Sequence, residues 1–405
     1  MTSEFIPILT VNGGSSSIKF AVYRMGGTIE KQISGAVNGI GGSLTELGWT
    51  SGDGKQGVSR EEKIPVEAKD FQEAAAFLAG WLSRQPASAG IQAIGHRIVH
   101  GMDRSAPAPL DDGLLQQLKS IQSYDPDHLP AEISLVQQFG AAFPGRLQVA
   151  CFDTAFHAHL PRVARILPIP RRFERAGVRR YGFHGLSYAY LMEVLHEKVG
   201  SAANGRVILA HLGSGASLAA VKAGECIDTS MGFTPVGGIP MSTRTGDLDP
   251  GVAWWIIQNE QMTPDQFSHL INRESGLLGV SETSADMQEL LALESNDSRA
   301  AEAIQLFCYQ VKKWIGGFVA ALGGLDLLVF SGGIGEHAPL IRSRICSGME
   351  YAGIRLDESR NRQNAFQIAA DPIGVQVLVI PTDEERMIAR STWEIYQQVG
   401  LGKLK

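Results

Sequence analysis

Apolar and polar residues alternate along two stretches of this chain, each wrapped around a short glycine-serine loop. In the first, Ile8, Leu9 and Val11 run into Asn12-Gly13-Gly14-Ser15-Ser16-Ser17, and Ile18-Lys19-Phe20-Ala21-Val22-Tyr23 leads away. β-Branched and aromatic residues on both sides predict two strands joined by the loop. In the second, Val207-Ile208-Leu209-Ala210-His211-Leu212 enters Gly213-Ser214-Gly215, and Ala216-Ser217-Leu218-Ala219-Ala220-Val221 leaves. Overlaid without gaps, Gly13 falls on Gly213 and Ser17 on Ser217. Glycines let backbone amides turn inward and serines add hydroxyls, so such a loop suits a tetrahedral anion. Lys19 supplies a countercharge to the first. One loop alone reads more readily as a plain β-turn. The pair predicts a duplicated fold that holds a polyphosphate between its halves.

Further elements follow the same logic. Asp70-Phe71-Gln72-Glu73 has the form of a capping box, and Phe71, Ala74, Ala75, Leu78 and Leu82 form the apolar face of the helix it opens, which Pro86 ends. Residues 91–99 predict a strand that delivers His96, Arg97 and His100. Helices are expected from near Asp111 and from Pro130, then a buried strand Leu147–Phe152 ending at Asp153. Further helices are expected over 186–199, from Thr263-Pro264, and over 298–322. Strands over 325–330 and 375–380 empty into Ser331-Gly332-Gly333-Ile334-Gly335-Glu336 and Thr382-Asp383-Glu384-Glu385. Strands alternating with helices predict an α/β fold, with polar clusters falling just past strand ends.

Composition narrows the class. A chain of 405 residues with 44% hydrophobic and 19% charged residues is long enough for two domains with cores. A net charge of −6 and the lack of a Lys/Arg run argue against a nucleic-acid surface. Cys151, Cys226, Cys308 and Cys346 stand singly with no CxxC spacing, which fits a reducing cytoplasm rather than a zinc or disulfide framework. Glu4 and Pro7 interrupt any signal-peptide core. The apolar stretch 314–335 contains Asp326 and many glycines, and predicts a buried helix followed by a strand rather than a membrane span.

The candidate chemistry is a scattered set of charges: Arg97, Asp153, His184, Arg244, Asp247, Asp249 and Glu384. Phosphoryl transfer asks for positioning and charge neutralisation more than for covalent chemistry. Mg²⁺ takes one or two protein oxygens and keeps waters, so Asn12, Asp153 and Glu384 are candidate direct or water-mediated partners. Structural readings stand beside these: Arg97 as a salt-bridge partner, Asp153 as a helix cap, Glu384 as an acid favoured in a helix's first turn. His96, His100 and His157 read as structural histidines.

The chain resembles the acetate and propionate kinase family, within the superfamily of sugar kinases, heat-shock ATPases and actin. The resemblance runs nearly end to end. It is carried by Asn12 to Phe20, Gly95-His96-Arg97-Ile98-Val99-His100-Gly101, Phe152-Asp153-Thr154-Ala155-Phe156-His157 and Arg180-Tyr181-Gly182-Phe183-His184-Gly185. Thr243 to Gly251, Phe330 to Glu336 and Pro381-Thr382-Asp383-Glu384-Glu385 complete it. The resemblance implies duplicated ribonuclease H-like (actin-like ATPase) domains, each a mixed sheet flanked by helices, with a cleft between the halves. The expected division is 1–152 plus 383–405, and a nucleotide-binding half 153–382.

The resemblance also implies an activity: reversible transfer of a phosphoryl group from ATP to acetate, or to propionate or another short-chain acid, giving ADP and an acyl phosphate. A homodimer using Mg²⁺ or Mn²⁺ in the cytoplasm is implied, without nucleic-acid or membrane partners. By the same resemblance Asn12 and Glu384 hold the metal and Lys19 contacts nucleotide phosphates. Arg97 would bind the acyl carboxylate beside an apolar pocket of Val99, Phe183 and Pro235. His184 and Arg244 would stabilise the moving phosphoryl group, with Asp153 in the family's essential acid/base position. The ATP-contacting segments would be His211-Leu212-Gly213-Ser214-Gly215, Asp286-Met287-Gln288 and Gly333-Ile334-Gly335-Glu336-His337. One inherited role meets a physical objection: a carboxylate, with a pKa of roughly 4–5, is already ionised at neutral pH and needs no base. Asp153 is therefore expected to act through the metal and its waters.

The chain departs from the family at Ser214, where asparagine is usual, and at Gln288, where arginine is common. Asp127 replaces a leucine, and His128-Leu129-Pro130 replaces His-Asn-Pro. These bear on donor and acyl preference. Two other readings of the fold, a kinase of an alcohol and a nucleotide-driven binding module, are disfavoured by the pairing of Arg97 with apolar Val99, Phe183 and Pro235.

Overall fold

Strand alternation sorts side chains onto two faces, and the first strand shows it directly. In the computed structural model, which describes residues 5–14, 16–42, 44–51, 60–125, 128–371 and 373–402, Ile8 packs with Ala21, Tyr23 and Ala389, whereas Leu9 and Val11 pack with Phe20, Leu78 and Phe139. Successive residues serve opposite cores. Both faces of this sheet are thus covered by helices. Asp127 lies outside the described residues, as do Ser15 and residues 52–57 of the expected early strands.

The chain divides into two compact units, Met1–Ala155 with Asp383–Lys405, and Phe156–Thr382. The first is built on β1 (Ile6–Gly13), β2 (Ser17–Met25), β3 (Ile29–Asn38), β4 (Glu46–Ser51), β5 (Arg60–Pro65), β6 (Ala93–Ile98), β7 (Ala108–Pro109) and β8 (Leu147–Phe152). Their order is β5-β4-β3-β2-β1-β6-β8-β7. β1 to β5 form an antiparallel meander, while β6 and β8 continue parallel to β1 through helical crossovers. Helix Phe71–Ser83 starts where Asp70 accepts the Glu73 amide, and the Glu73 carboxylate reaches back to the Lys69 amide, one residue before the cap. Helix Glu384–Gly400 lies on β6 with Ile388, Ala389 and Thr392 buried. A Cβ at Gly95 would collide with Thr392 Oγ1 and Ile388 Cγ2, so glycine is what lets this helix sit so close.

The second unit holds β9 (Arg206–Leu212), β10 (Ala216–Lys222), β11 (Glu225–Thr229), β12 (Leu327–Ser331) and β13 (Gln376–Val379), ordered β11-β10-β9-β12-β13. The first three are antiparallel; β12 and β13 run parallel to β9. Tyr188, Leu191 and Leu195 of helix Gly185–Val199 cover Val207, Leu209 and Val329. Helix Ser298–Leu322 contacts β9 and β10, and the apolar stretch after Trp314 is the end of that helix followed by β12. Among the described residues, no helix is long and apolar enough to cross a membrane.

The ungapped overlay of the two hairpins fails in detail. Gly13 pairs with Ile18, leaving a loop of Gly14 to Ser17, but Leu212 pairs with Ala216, leaving only Gly213, Ser214 and Gly215. Ser17 therefore sits at the loop edge, whereas Ser217 lies inside β10, fully buried and opposite His211. The second loop is one residue tighter, and its serine serves a side chain rather than a ligand loop.

Candidate active site

In the first unit, the polar groups gather past the ends of β1, β6 and β8. Asn12, buried at the end of β1, donates through Nδ2 to Glu384 Oε2 at 2.9 Å and to Glu385 Oε1 at 3.2 Å. Both acids lie in the first turn of the last helix, whose N-cap is Asp383. Burial, then the neighbouring Glu384 charge, raises the Glu385 pKa, while Lys19 works against both. Lys19 is exposed and directly opposite Asn12 in the β1–β2 ladder. Carboxylate and amide oxygens of this kind suit a hard divalent cation that takes one or two protein ligands and completes its shell with water and phosphate. The donor set at Asn12 and Glu384 therefore fits Mg²⁺ or Mn²⁺. Among the described residues, no larger cluster of His, Cys, Asp and Glu could hold a metal ion.

Arg97 reaches out from β6 into a ring of acceptors. Its Nη2 donates to Asp153 Oδ2 at 2.8 Å, and its Nη1 to the Gly13 carbonyl at 3.2 Å and to Glu132 Oε1 at 3.4 Å. Asp153 is fully buried just past β8. Burial weighs against the guanidinium charge, but Asp153, Glu132 and Glu384 outweigh it and hold the Arg97 pKa above its usual range. Glu132 behaves in the opposite way: burial, only partly offset by Arg97 and by the Val99 amide, pushes its pKa up to about 8. That amide donates to Glu132 Oε2 at 2.8 Å, so Glu132 ties Arg97 to the buried Val99. His96, on the same strand, contacts Gln148 through Nε2, and burial lowers its pKa to about 4.

In the second unit, the groups converge on the β9–β10 loop. His184 precedes helix Gly185–Val199 in a left-handed conformation (φ 59°). Such a backbone is uncommon outside glycine and marks a position that its surroundings dictate. Its Nδ1 lies 2.9 Å from Ser217 Oγ, which also bonds the Tyr188 hydroxyl, and its ring sits 4.6 Å from that of His211. A Cβ placed on Gly215 would stand 3.2 Å from His184 Nε2 and 3.9 Å from Arg244 Nη1. Gly215 thus sits where an imidazole and a guanidinium both approach, and any side chain there would crowd His184. Arg244 is steadied by the carbonyl of buried Pro235 at 3.3 Å. Phe183 is buried too, its carbonyl 2.9 Å from Nε2 of His157, whose pKa burial lowers to about 4.

The remaining glycine segment lies beside this loop. Ser331 pairs with His211, and a Cβ on Gly332 (φ 75°) would strike the Leu212 carbonyl at 2.7 Å. Gly333, Ile334, Gly335, Glu336 and His337 form the short helix Gly332–His337. Glu336 Oε1 accepts from the amides of Gly332 and Thr382, which fixes both segment ends. Asp286 accepts from the amides of Gln288 and Glu289, so its carboxylate caps helix Met287–Leu293; Met287 is buried and Gln288 exposed.

The family model described as the acetokinase family matches residues 7–390. The chain belongs to the acetokinase family. It is 42% identical over 392 residues to the acetate kinase of Rhodopseudomonas palustris (strain TIE-1), covering 96% of this chain and 98% of that one. It is 39% identical over 402 residues to the propionate kinase of Citrobacter rodentium, covering 96% of each. Among solved structures, Porphyromonas gingivalis acetate kinase superposes with a TM-score of 0.85 at 34% identity, over 96% of this chain and 100% of that one. A propionate kinase from Francisella tularensis gives 0.87 at 32%, over 96% and 99%. The two mixed sheets flanked by helices are the actin-like ATPase architecture of this family.

Several residues among these polar groups escape a reading of motifs alone. Glu132 carries a visible signal, since it is an acid on the buried helical face formed by Leu129, Ile133, Val136 and Phe139. Ser217 and Tyr188, which hold His184, carry none. Arg342 is buried and donates to the carbonyls of Gly335 at 2.7 Å and Glu336 at 3.0 Å, fixing the glycine segment from behind.

Proposed function

We propose that the chain is an acetate kinase that transfers the γ-phosphoryl group of ATP reversibly to acetate. The observation that carries this reading is the convergence of His184 Nε2 and Arg244 Nη1 on the glycine of the β9–β10 loop, Gly215. A phosphoryl group in flight is a compact cluster of negative charge, and preorganised donors aimed at it are what such a reaction needs. Propionate or another short-chain acid is the second reading, supported by the propionate kinase relative.

In this reading Arg97 binds and orients the acceptor carboxylate, while Val99, Phe183 and Pro235 wall its apolar end. Lys19 and the segments 211–215, 286–288 and 333–337 hold the nucleotide. A carboxylate oxygen attacks the γ-phosphorus in line; the new O–P bond forms as the bond to the ADP oxygen breaks, and no proton changes hands. Asp153 therefore serves not as a base but through the metal's waters, and it also fixes Arg97 as its counter-ion at 2.8 Å. Asn12 and Glu384 would hold Mg²⁺ or Mn²⁺, which when bound supplies charge neutralisation on the polyphosphate.

The unit Phe156–Thr382 is the nucleotide-binding one in this account. The four buried free cysteines suit a reducing cytoplasm. A homodimer is supported by helix Pro250–Asn259, which buries none of its own residues and leaves Trp254 and Trp255 65% and 55% exposed.

The test is a hydroxylamine trap with ATP, Mg²⁺ and acetate, propionate or butyrate. Acyl hydroxamate with the short acids supports the reading. ATP loss without hydroxamate would sink it.

A further inference from the structure

We propose that Glu132 is a positioning residue that takes up a proton when a carboxylate substrate binds at Arg97, making acid binding proton-coupled. This rests on the proposed function and deepens it at the same site.

One guanidinium faces two acids, Asp153 at 2.8 Å and Glu132 at 3.4 Å. With both ionised, two buried carboxylates share this guanidinium. A third carboxylate arriving at Arg97 would then be opposed rather than attracted, and water is not there to screen the repulsion. Protonating one of the two resident acids removes that opposition. Asp153 has the short, strong contact with the guanidinium. Glu132 has the long one, and its other oxygen is satisfied by the Val99 amide whether or not Oε1 carries a proton.

The surroundings favour protonation of Glu132. It is 2% exposed, on the inner face of helix Leu129–Ala142. From β6 it faces Arg97, and from the turn after β8 it faces Asp153. From the turn before its own helix it faces Asp125, which is bonded to His128 at 2.9 Å. Glu384 of the last helix acts on Arg97 from beyond. From β1 comes Gly13, which bears no charge and whose carbonyl also accepts from Arg97. Arg97 lowers the cost of a charge on Glu132, while two further acids, Asp125 and Asp153, raise it. Burial with these neighbours places its titration at about 8 in the absence of substrate, and a bound carboxylate pushes it higher. The balance is simple: substrate anion and one solvent proton enter together, the proton bonding to Glu132 Oε1, and both leave together.

The consequence is a KM for acetate that is flat below pH 8 and rises about tenfold per pH unit above it, as linkage to a single proton requires. Measured by hydroxamate formation at saturating MgATP, wild type should show this rise between pH 8 and 9.5, with the KM for ATP unchanged as the internal control. Glu132→Gln, a neutral side chain of the same shape, should bind acetate with a KM that stays within about twofold across the range. A variant that merely weakened the fold would shift KM or kcat without flattening the profile. As a second measurement that does not depend on the variant, calorimetric titration of wild type with acetate in buffers of different ionisation enthalpy should show about one proton taken up at pH 9 and none at pH 6.5. Acyl phosphate formation with no proton uptake at pH 9, or an unchanged acetate KM profile in Glu132→Gln, overturns the role of Glu132 alone. No acyl phosphate from wild type at any pH overturns the parent reading and this inference with it.

Discussion

Arg97 and Asp153 form a buried ion pair of 2.8 Å, linking the end of β6 to the residue that follows β8. Parallel neighbours in the same sheet deliver both, so the pair is set by strand register rather than by a mobile loop. Removing one partner of such a pair leaves the other charge buried and uncompensated. Asp153→Asn should therefore free the guanidinium from its shortest contact, raising the KM for acetate and lowering kcat by on the order of 10²-fold. Steady-state kinetics with acetate varied checks this. Unchanged acetate KM and kcat would show that the pair is dispensable.

Gly215 is not in the left-handed region, so alanine fits its backbone without strain. What alanine would not fit is the space before His184 and Arg244. Gly215→Ala is expected to lower kcat at least tenfold while the melting temperature moves by no more than a few degrees. Kinetics paired with a thermal melt separates the two effects.

Arg244→Ala removes the guanidinium from that same space. By the scale of charge-stabilising arginines in phosphoryl transfer, kcat should fall on the order of 10³-fold. A loss below tenfold would place Arg244 outside the reacting centre.

His96 and His157 are buried with pKa values lowered from 6.5 to about 4. Their neutral forms are favoured in the folded state, so the stability they contribute is present above pH 6.5 and is lost as pH falls towards 4. Denaturant melts between pH 7 and 4 should show a progressive fall, and His96→Gln should flatten part of it.

The elements were legible wherever one local rule settled them. Strand Leu147–Phe152 and helix Ser298–Leu322 fall where their patterning places them, and Thr263 opens its helix with a complete capping box. The site was legible in part. Glycine loops and charged residues past strand ends announce that something anionic binds. They do not tell which charge holds which. That Glu132 ties Arg97 to Val99, or that Ser217 holds His184, depends on pairing between strands and helices far apart in sequence. The hairpin overlay fails for the same reason: loop length is set by strand register, and register is a tertiary property.

In the proposed reaction Arg97 receives the acceptor carboxylate. This role is tested most directly by the KM for acetate of Arg97→Ala, measured by hydroxamate formation at saturating MgATP. Loss of the guanidinium should raise it at least tenfold with the KM for ATP nearly unchanged. An acetate KM equal to that of wild type would contradict it.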